Sequence, residues 1–160
     1  MRTWPGLLAA LACASLALGG CGDDGAAENA VVSVYVSAYL CDSAKRELAK
    51  EGARVGKLRV RVRCLPSAER GGRLDLAALG AGARKVTEDS TAVAYAENAG
   101  AANRFVPPIV ESAGIAITYT SAGELAISRV LHAMRRAEGS GDPPREAVAE
   151  EMDGLFDDNG

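Results

Sequence analysis

Short apolar runs alternate with stretches at helical spacing from Val31 to Tyr119, and this alternation constrains the fold more than any other feature. Val31-Val32-Ser33-Val34-Tyr35-Val36 has the β-branched and aromatic content of a strand. Asp42 is placed to cap a short helix over 43–50, with Ala44 and Leu48 on one side. Gly52 and Gly56 break it. Residues 55–64 then alternate strictly. Leu58, Val60, Val62 and Cys64 face one way, and Lys57, Arg59, Arg61 and Arg63 face the other. A central strand covered on both faces would not alternate so cleanly, so the pattern predicts an edge strand whose charge blocks unwanted pairing. The arginine row reads as a solvated face, with an anion-binding row as the alternative.

Residues 74–87 read as a helix carrying Leu76, Leu79, Ala83 and Val86, weakened by Gly80 and Gly82. A short strand follows over 91–96. Residues 101–112 are a second helical stretch with Phe105 and Ile109 four apart, distorted or restarted at Pro107-Pro108. Gly114 ends it, and 115–119 is the next strand. The clearest helix spans 125–137, with Ile127, Val130, Leu131 and Met134 on one face. Pro143-Pro144 opens a last helix with Val148, Met152, Leu155 and Phe156 inward. Strands alternating with helices predict a layered α/β domain with a parallel sheet.

The first residues carry a different signal. Arg2 precedes an apolar run over 6–18, which ends in Leu18-Gly19-Gly20-Cys21. A basic residue, an apolar stretch and a small-residue cleavage site come in the order of an export signal. Cys after two glycines resembles a bacterial lipoprotein signal, in which the thiol is acylated and the Cys becomes the new N-terminus. The alternative is an ordinary secretory signal with Cys21 incidental. The run is too short for a transmembrane helix and lacks a second basic flank. The expectation is a leader over 1–20, lipid on Cys21, a tether over 21–30, a folded part over 31–156 and a disordered tail over 157–160. The folded part then sits on the extracytoplasmic side of the cell membrane, held by lipid.

That location permits a disulfide. Of the four cysteines, Cys13 leaves with the leader and Cys21 is taken by lipid. Cys41 and Cys64 remain, each after a strand-like run. They can pair if those strands are parallel neighbours, and two separate thiols are the alternative. The single histidine, His132, has no ligand cluster around it, so no metal or other cofactor is expected. Ser43, Ser90 and Ser121 have only His132 as a base, and it reads as a half-buried structural residue beside Leu131. Gly80-Ala81-Gly82 continues into Ala83-Arg84 and is no phosphate loop. The chain therefore reads as non-enzymatic. Its net charge is −3, with no large basic stripe, which argues against nucleic acid as a partner.

Further along, the residues carry a family likeness. Glu88-Asp89-Ser90-Thr91-Ala92-Val93-Ala94-Tyr95 is followed by Asn98-Ala99-Gly100-Ala101, then by Val106-Pro107-Pro108-Ile109-Val110-Glu111-Ser112-Ala113-Gly114-Ile115. Together they resemble the first lobe of periplasmic-binding-protein type I receptors, the branched-chain amino acid (leucine/isoleucine/valine) binding kind. Residues 32–37 resemble that family's first strand, and 55–68 its second strand and the following turn. Gly123-Glu124-Leu125-Ala126, Leu131 to Ala137 and Arg145-Glu146-Ala147-Val148 resemble a late segment that returns to the first lobe. Here that segment follows Ser121 directly. The resemblance implies a three-layer, Rossmann-like open parallel sheet forming a single lobe, with the second lobe missing.

The family binds a small solute between two lobes and presents it to the permease of an ABC transporter. It implies a site in the loops after the carboxyl ends of the strands, where open α/β sheets hold ligands. The candidate ligand-binding residues are Asn98, Gly100, Ala101, Thr120 and Ser121. Gly100 and Ala101 stand where the family typically has Ser and Gly, or Ser and Thr, and Thr120 and Gly123 stand in Pro and Thr positions. Glu97 is acidic and would repel a carboxylate. A single lobe leaves one side of a solute wet. The implied partners are an amino acid or other small solute, a permease, and a separate second-lobe chain. Two functions result: a solute-binding lipoprotein with a vestigial site, or a small lipoprotein acting as a protein–protein interaction module.

Overall fold

The computed structural model describes residues 30–98, 105–138 and 144–157. The leader, Cys21, the tether up to residue 29 and the tail from 158 lie outside the described residues.

The chain runs β1 (Val31–Val36), a single 3-10 turn (Ala38–Leu40), α1 (Cys41–Lys50), β2 (Arg54–Val55), β3 (Leu58–Cys64), β4 (Glu69–Arg70) and β5 (Arg73–Leu74). It continues through α2 (Leu76–Glu88), β6 (Ala92–Asn98), α3 (Pro107–Glu111), β7 (Ala116–Thr120), α4 (Gly123–Ala137) and α5 (Pro144–Asp157). The main sheet is open and has the order β2-β3-β1-β6-β7. β3, β1, β6 and β7 are parallel, and only β2 runs against its neighbour. This is an α/β domain with a mostly parallel sheet flanked by helices.

Chain order dictates where the helices go. The step from β1 to β3 and the steps from β3 to β6 to β7 run in opposite directions across the sheet. Crossovers of one hand therefore put α1 on one face and α2 and α3 on the other. Two cores result. Val32, Val34 and Val36 pack with residues of α1, α4 and α5, among them Leu48, Ile127, Leu131 and Met152. Tyr35 and Tyr95 pack on the opposite face with Leu79 and Val86 of α2 and Val110 of α3. A bulge sits between them: Ser33 pairs with Ala92 but Val34 pairs with Ala94. The extra residue, Val93, joins Ala94 in the first core.

β1 and the buried face of α4 occupy the expected places: Ile127, Val130, Leu131 and Met134 are all buried. Other expectations are corrected. Asp42 is not a cap. α1 starts at Cys41 out of the 3-10 turn, and Asp42 lies in its first turn, where a negative charge suits the helix dipole. The second helix begins at Leu76, not at 74. Gly71 and Gly72 both take positive φ and turn β4 into β5, which uses Leu74, and Asp75 then caps α2 by accepting from the Ala78 N–H at 3.0 Å. Leu76 consequently faces out, 55% exposed. On its outer side β3 is covered only by the two residues of β2, so it lies next to the sheet's edge. Its arginine face is not wholly solvated. Arg63 is half-buried, donates to Ser33 Oγ at 3.3 Å and pairs with Asp89 at 3.5 Å. Of the inward residues expected on the last helix, Val148 and Met152 are buried, while the side chains of Leu155 and Phe156 lie outside the described residues.

α5 is tied back by Arg145. Its guanidinium donates to the carbonyls of Ala92 and Asp89, both at 2.8 Å, and to that of Ala113 at 3.4 Å. These carbonyls lie at or just before the starts of β6 and β7, so α5 is fastened to the sheet's amino edge.

Cys41 and Cys64 are joined in a disulfide with a Cα–Cα distance of 5.5 Å. The register explains the closeness. Cys64 ends β3 opposite Val36, the last residue of β1, and Cys41 opens α1 just beyond the 3-10 turn.

Candidate functional site

Because the four long strands are parallel, their carboxyl ends share one edge. β1 and β6 are neighbours whose onward connections leave toward opposite faces, and such a switch point leaves a crevice. A cavity of about 420 Å³ opens there. Ser37 and Tyr39 line it from the loop after β1, Glu69 from beyond β3, and Glu97 and Asn98 from the end of β6, with Leu79 of α2 among its apolar walls.

Glu97 is the least expected member, a carboxylate only 4% exposed. Its Oε1 accepts from the Asn98 backbone N–H at 2.8 Å, and its Oε2 accepts from the Tyr95 phenol. Burial, and then the negative charge of Glu97, push the Tyr95 phenol well above the ordinary tyrosine range. The phenol therefore stays protonated and remains a donor. Tyr119, the register partner of Glu97 on β7, is also raised, by burial first and then by the charges of Glu111 and Glu97. Ser37 Oγ is buried without a hydrogen-bond partner among the described residues.

The structure divides the sequence-predicted site. Asn98 lines the cavity. Thr120 is its register partner at the end of β7, but it is not part of the lining. The Thr120 hydroxyl closes its own turn: Oγ1 accepts from the Ala122 N–H and reaches the Ala122 carbonyl, both at 3.2 Å. Ser121 is exposed. Gly100 and Ala101 lie outside the described residues. The Gly123 N–H, which opens α4, is taken by Ser43 Oγ at 3.1 Å. Sequence reasoning missed Ser37, Tyr39, Glu69 and Tyr95. The available signal was position, since Ser37 and Tyr39 directly follow the first strand.

Ser43 donates to the Leu40 carbonyl at 3.2 Å, and Ser90 is exposed. His132 lies on the outer face of α4 and is exposed, not half-buried as expected. Among the described residues no group of three His, Cys, Asp or Glu is placed to hold a metal ion. No described helix is long and apolar enough to cross a membrane. Compared with protein-family models, curated proteins and solved structures, the chain finds no match.

Proposed function

We propose that this chain is a lipid-anchored, extracytoplasmic protein of the solute-receptor kind, which binds a small solute non-covalently at the carboxyl edge of its sheet. The observation that carries the reading is the switch-point cavity, lined by a buried carboxylate and by a serine whose oxygen has no partner among the described residues. Its volume lies within the range of small-molecule sites. The sequence resemblance to type I binding proteins supports the same reading, with a Rossmann-like lobe, lipid on Cys21, and a permease or second-lobe chain as partner. A cavity walled by one lobe leaves part of the solute wet, so affinity is weaker than that of a two-walled receptor.

The test is calorimetric titration of the folded full chain, kept in non-ionic detergent, with leucine, isoleucine, valine and a panel of amino acids and amines. Saturable heat from one of them is the expected result. A folded protein that takes up none of the panel overturns the reading.

A second reading, a protein–protein interaction module, draws on Tyr39, which is 76% exposed, and on Phe105 and Leu125, which are also exposed. Light scattering on the same sample separates the two. A stable higher-order species without solute binding favours the module.

A further inference from the structure

We propose that the carboxyl-edge cavity takes the ammonium end of a small organic cation, with Glu97 as its counter-charge. The inference rests on the solute-binding reading and names the chemistry of the solute.

Charge is the first argument. The described lining of the cavity contains two carboxylates, Glu97 inside and Glu69 at the exposed rim, and no basic side chain. The two donors to Glu97 among the described residues are neutral: an amide N–H and a phenol. Among the described residues no Lys, Arg or His nitrogen pairs with it. Exposed ion pairs such as Arg135 with Glu51 and Arg136 with Glu151 lie elsewhere. A buried carboxylate whose described donors are all neutral is costly to keep, and a cation brought in by a ligand relieves that cost. A solute carboxylate would instead meet like charge.

Geometry is the second argument. An alkylammonium carries three N–H donors and needs acceptors on more than one side. Glu97 supplies one, and Ser37, which lines the same cavity and whose Oγ has no partner among the described residues, supplies the other. Buried polar atoms are seldom left without partners, and a ligand-binding site is one reason for an exception. The walls fit the rest of such a molecule. Leu65, Leu79 and Val106 are buried apolar residues suited to an alkyl stem. Tyr39 stands exposed at the mouth, where an aromatic face attracts a cation.

Three probes with one branched stem and different charge test this on the folded full chain in non-ionic detergent: isoamylamine, leucine and 4-methylpentanoate. Putrescine is a fourth, unbranched probe. Calorimetry is expected to rank isoamylamine above leucine and leucine above 4-methylpentanoate. Glu97→Gln keeps the shape and removes the charge, and is expected to weaken amine binding by about tenfold or more. Ser37→Ala removes a hydroxyl that has no partner among the described residues. It is expected to weaken amine binding by about threefold without lowering the melting temperature. If Glu97→Gln does not fold, Ser37→Ala carries the test alone, and an unchanged amine affinity overturns the proposal. Binding of leucine or 4-methylpentanoate without binding of the amines overturns the cation assignment and leaves solute binding standing. Amine binding that Glu97→Gln leaves intact also overturns the assignment. No binding of any probe or amino acid overturns both.

Discussion

Tyr35 and Tyr95 face each other across β1 and β6 as register partners, yet their phenols serve opposite edges of the sheet. Tyr35 donates to Asp89 Oδ2 at 2.8 Å, just before β6 begins. Tyr95 donates to Glu97, at the end of the same strand. The two rings form one packed layer on the α2 face and carry a structural contact at one end and the candidate site at the other.

The Asp89 end is a stability device with a readable pH signature. Burial alone would raise the Asp89 carboxyl. The Thr91 hydroxyl and amide, the Tyr35 phenol and the Arg63 charge together hold it below the usual carboxylate range. A carboxyl depressed in the fold gives stability above its ordinary pKa, and that stability is lost as pH falls through the lower folded value. Tyr35 acts at the alkaline end. Burial, and then its bond to Asp89, push it up to about 12. Between its ordinary value near 10 and that value the unfolded chain releases the proton first, so stability falls as pH rises. Thermal melts across pH are expected to decline at both ends. Tyr35→Phe is expected to cost about 2 kcal/mol near neutral pH and to flatten part of the alkaline decline. An alkaline limb unchanged in Tyr35→Phe counts against the assignment.

The Cys41–Cys64 bond closes a loop over a sequence separation of 23, which contains α1, β2 and most of β3. Cross-linking a loop of this length restricts the unfolded chain and stabilises the fold by about 3 kcal/mol in the chain-entropy account. Reductant, or the double change Cys41→Ala with Cys64→Ala, is expected to lower the urea midpoint by a corresponding amount. A midpoint unmoved by reductant would show that the bond adds nothing to stability.

The third helix marks where local pattern stops being a guide. Phe105 and Ile109 lie four apart in the helical stretch expected over 101–112, but they are 47% and 37% exposed. α3 covers only Pro107–Glu111, and the buried pair is Val106 and Val110, also four apart and one step later. Two apolar pairs at the same spacing compete, and the packing against Ile115 and α2 selects one. Val110→Ala is expected to cost about 2 kcal/mol. Ile109→Ser is expected to stay within about 0.5 kcal/mol. Equal effects in urea melts would contradict this phase.

The same contrast runs through the rest of the molecule. β1 and the buried stripe of α4 were legible, since each is a local period written in consecutive residues. The start of α2 was signalled by Gly71-Gly72 and Asp75, yet the apolar residues Leu74 and Leu76 masked it. Asn98 and Thr120 were named from the family resemblance; each ends a strand, but only Asn98 lines the cavity, and Thr120 closes its own turn. Ser37, Glu69 and Tyr95 could not be grouped from sequence. Their meeting depends on β1 lying between β3 and β6, a long-range order that no local window contains.

Gly123 gives the sharpest steric test. It opens α4 where that helix meets the start of α1. In a helix, Gly→Ala ordinarily gains about 1 kcal/mol from propensity. A Cβ here would run into the Leu40 carbonyl and Ser43 Oγ and would lie 2.7 Å from the Ala44 nitrogen. Two of these three are backbone atoms, which cannot rotate away, and Ser43 Oγ is held by its own bonds to the Leu40 carbonyl and the Gly123 N–H. The clash therefore outweighs propensity, and Gly123→Ala is expected to destabilise the fold by about 2 kcal/mol or more. Separating the helix ends would also break the Ser43 bond. Ser43→Ala, which adds no bulk, is expected to cost only about 1 kcal/mol. Gly123→Ala melting at or above the parent temperature would mean that the two helix starts do not approach this closely.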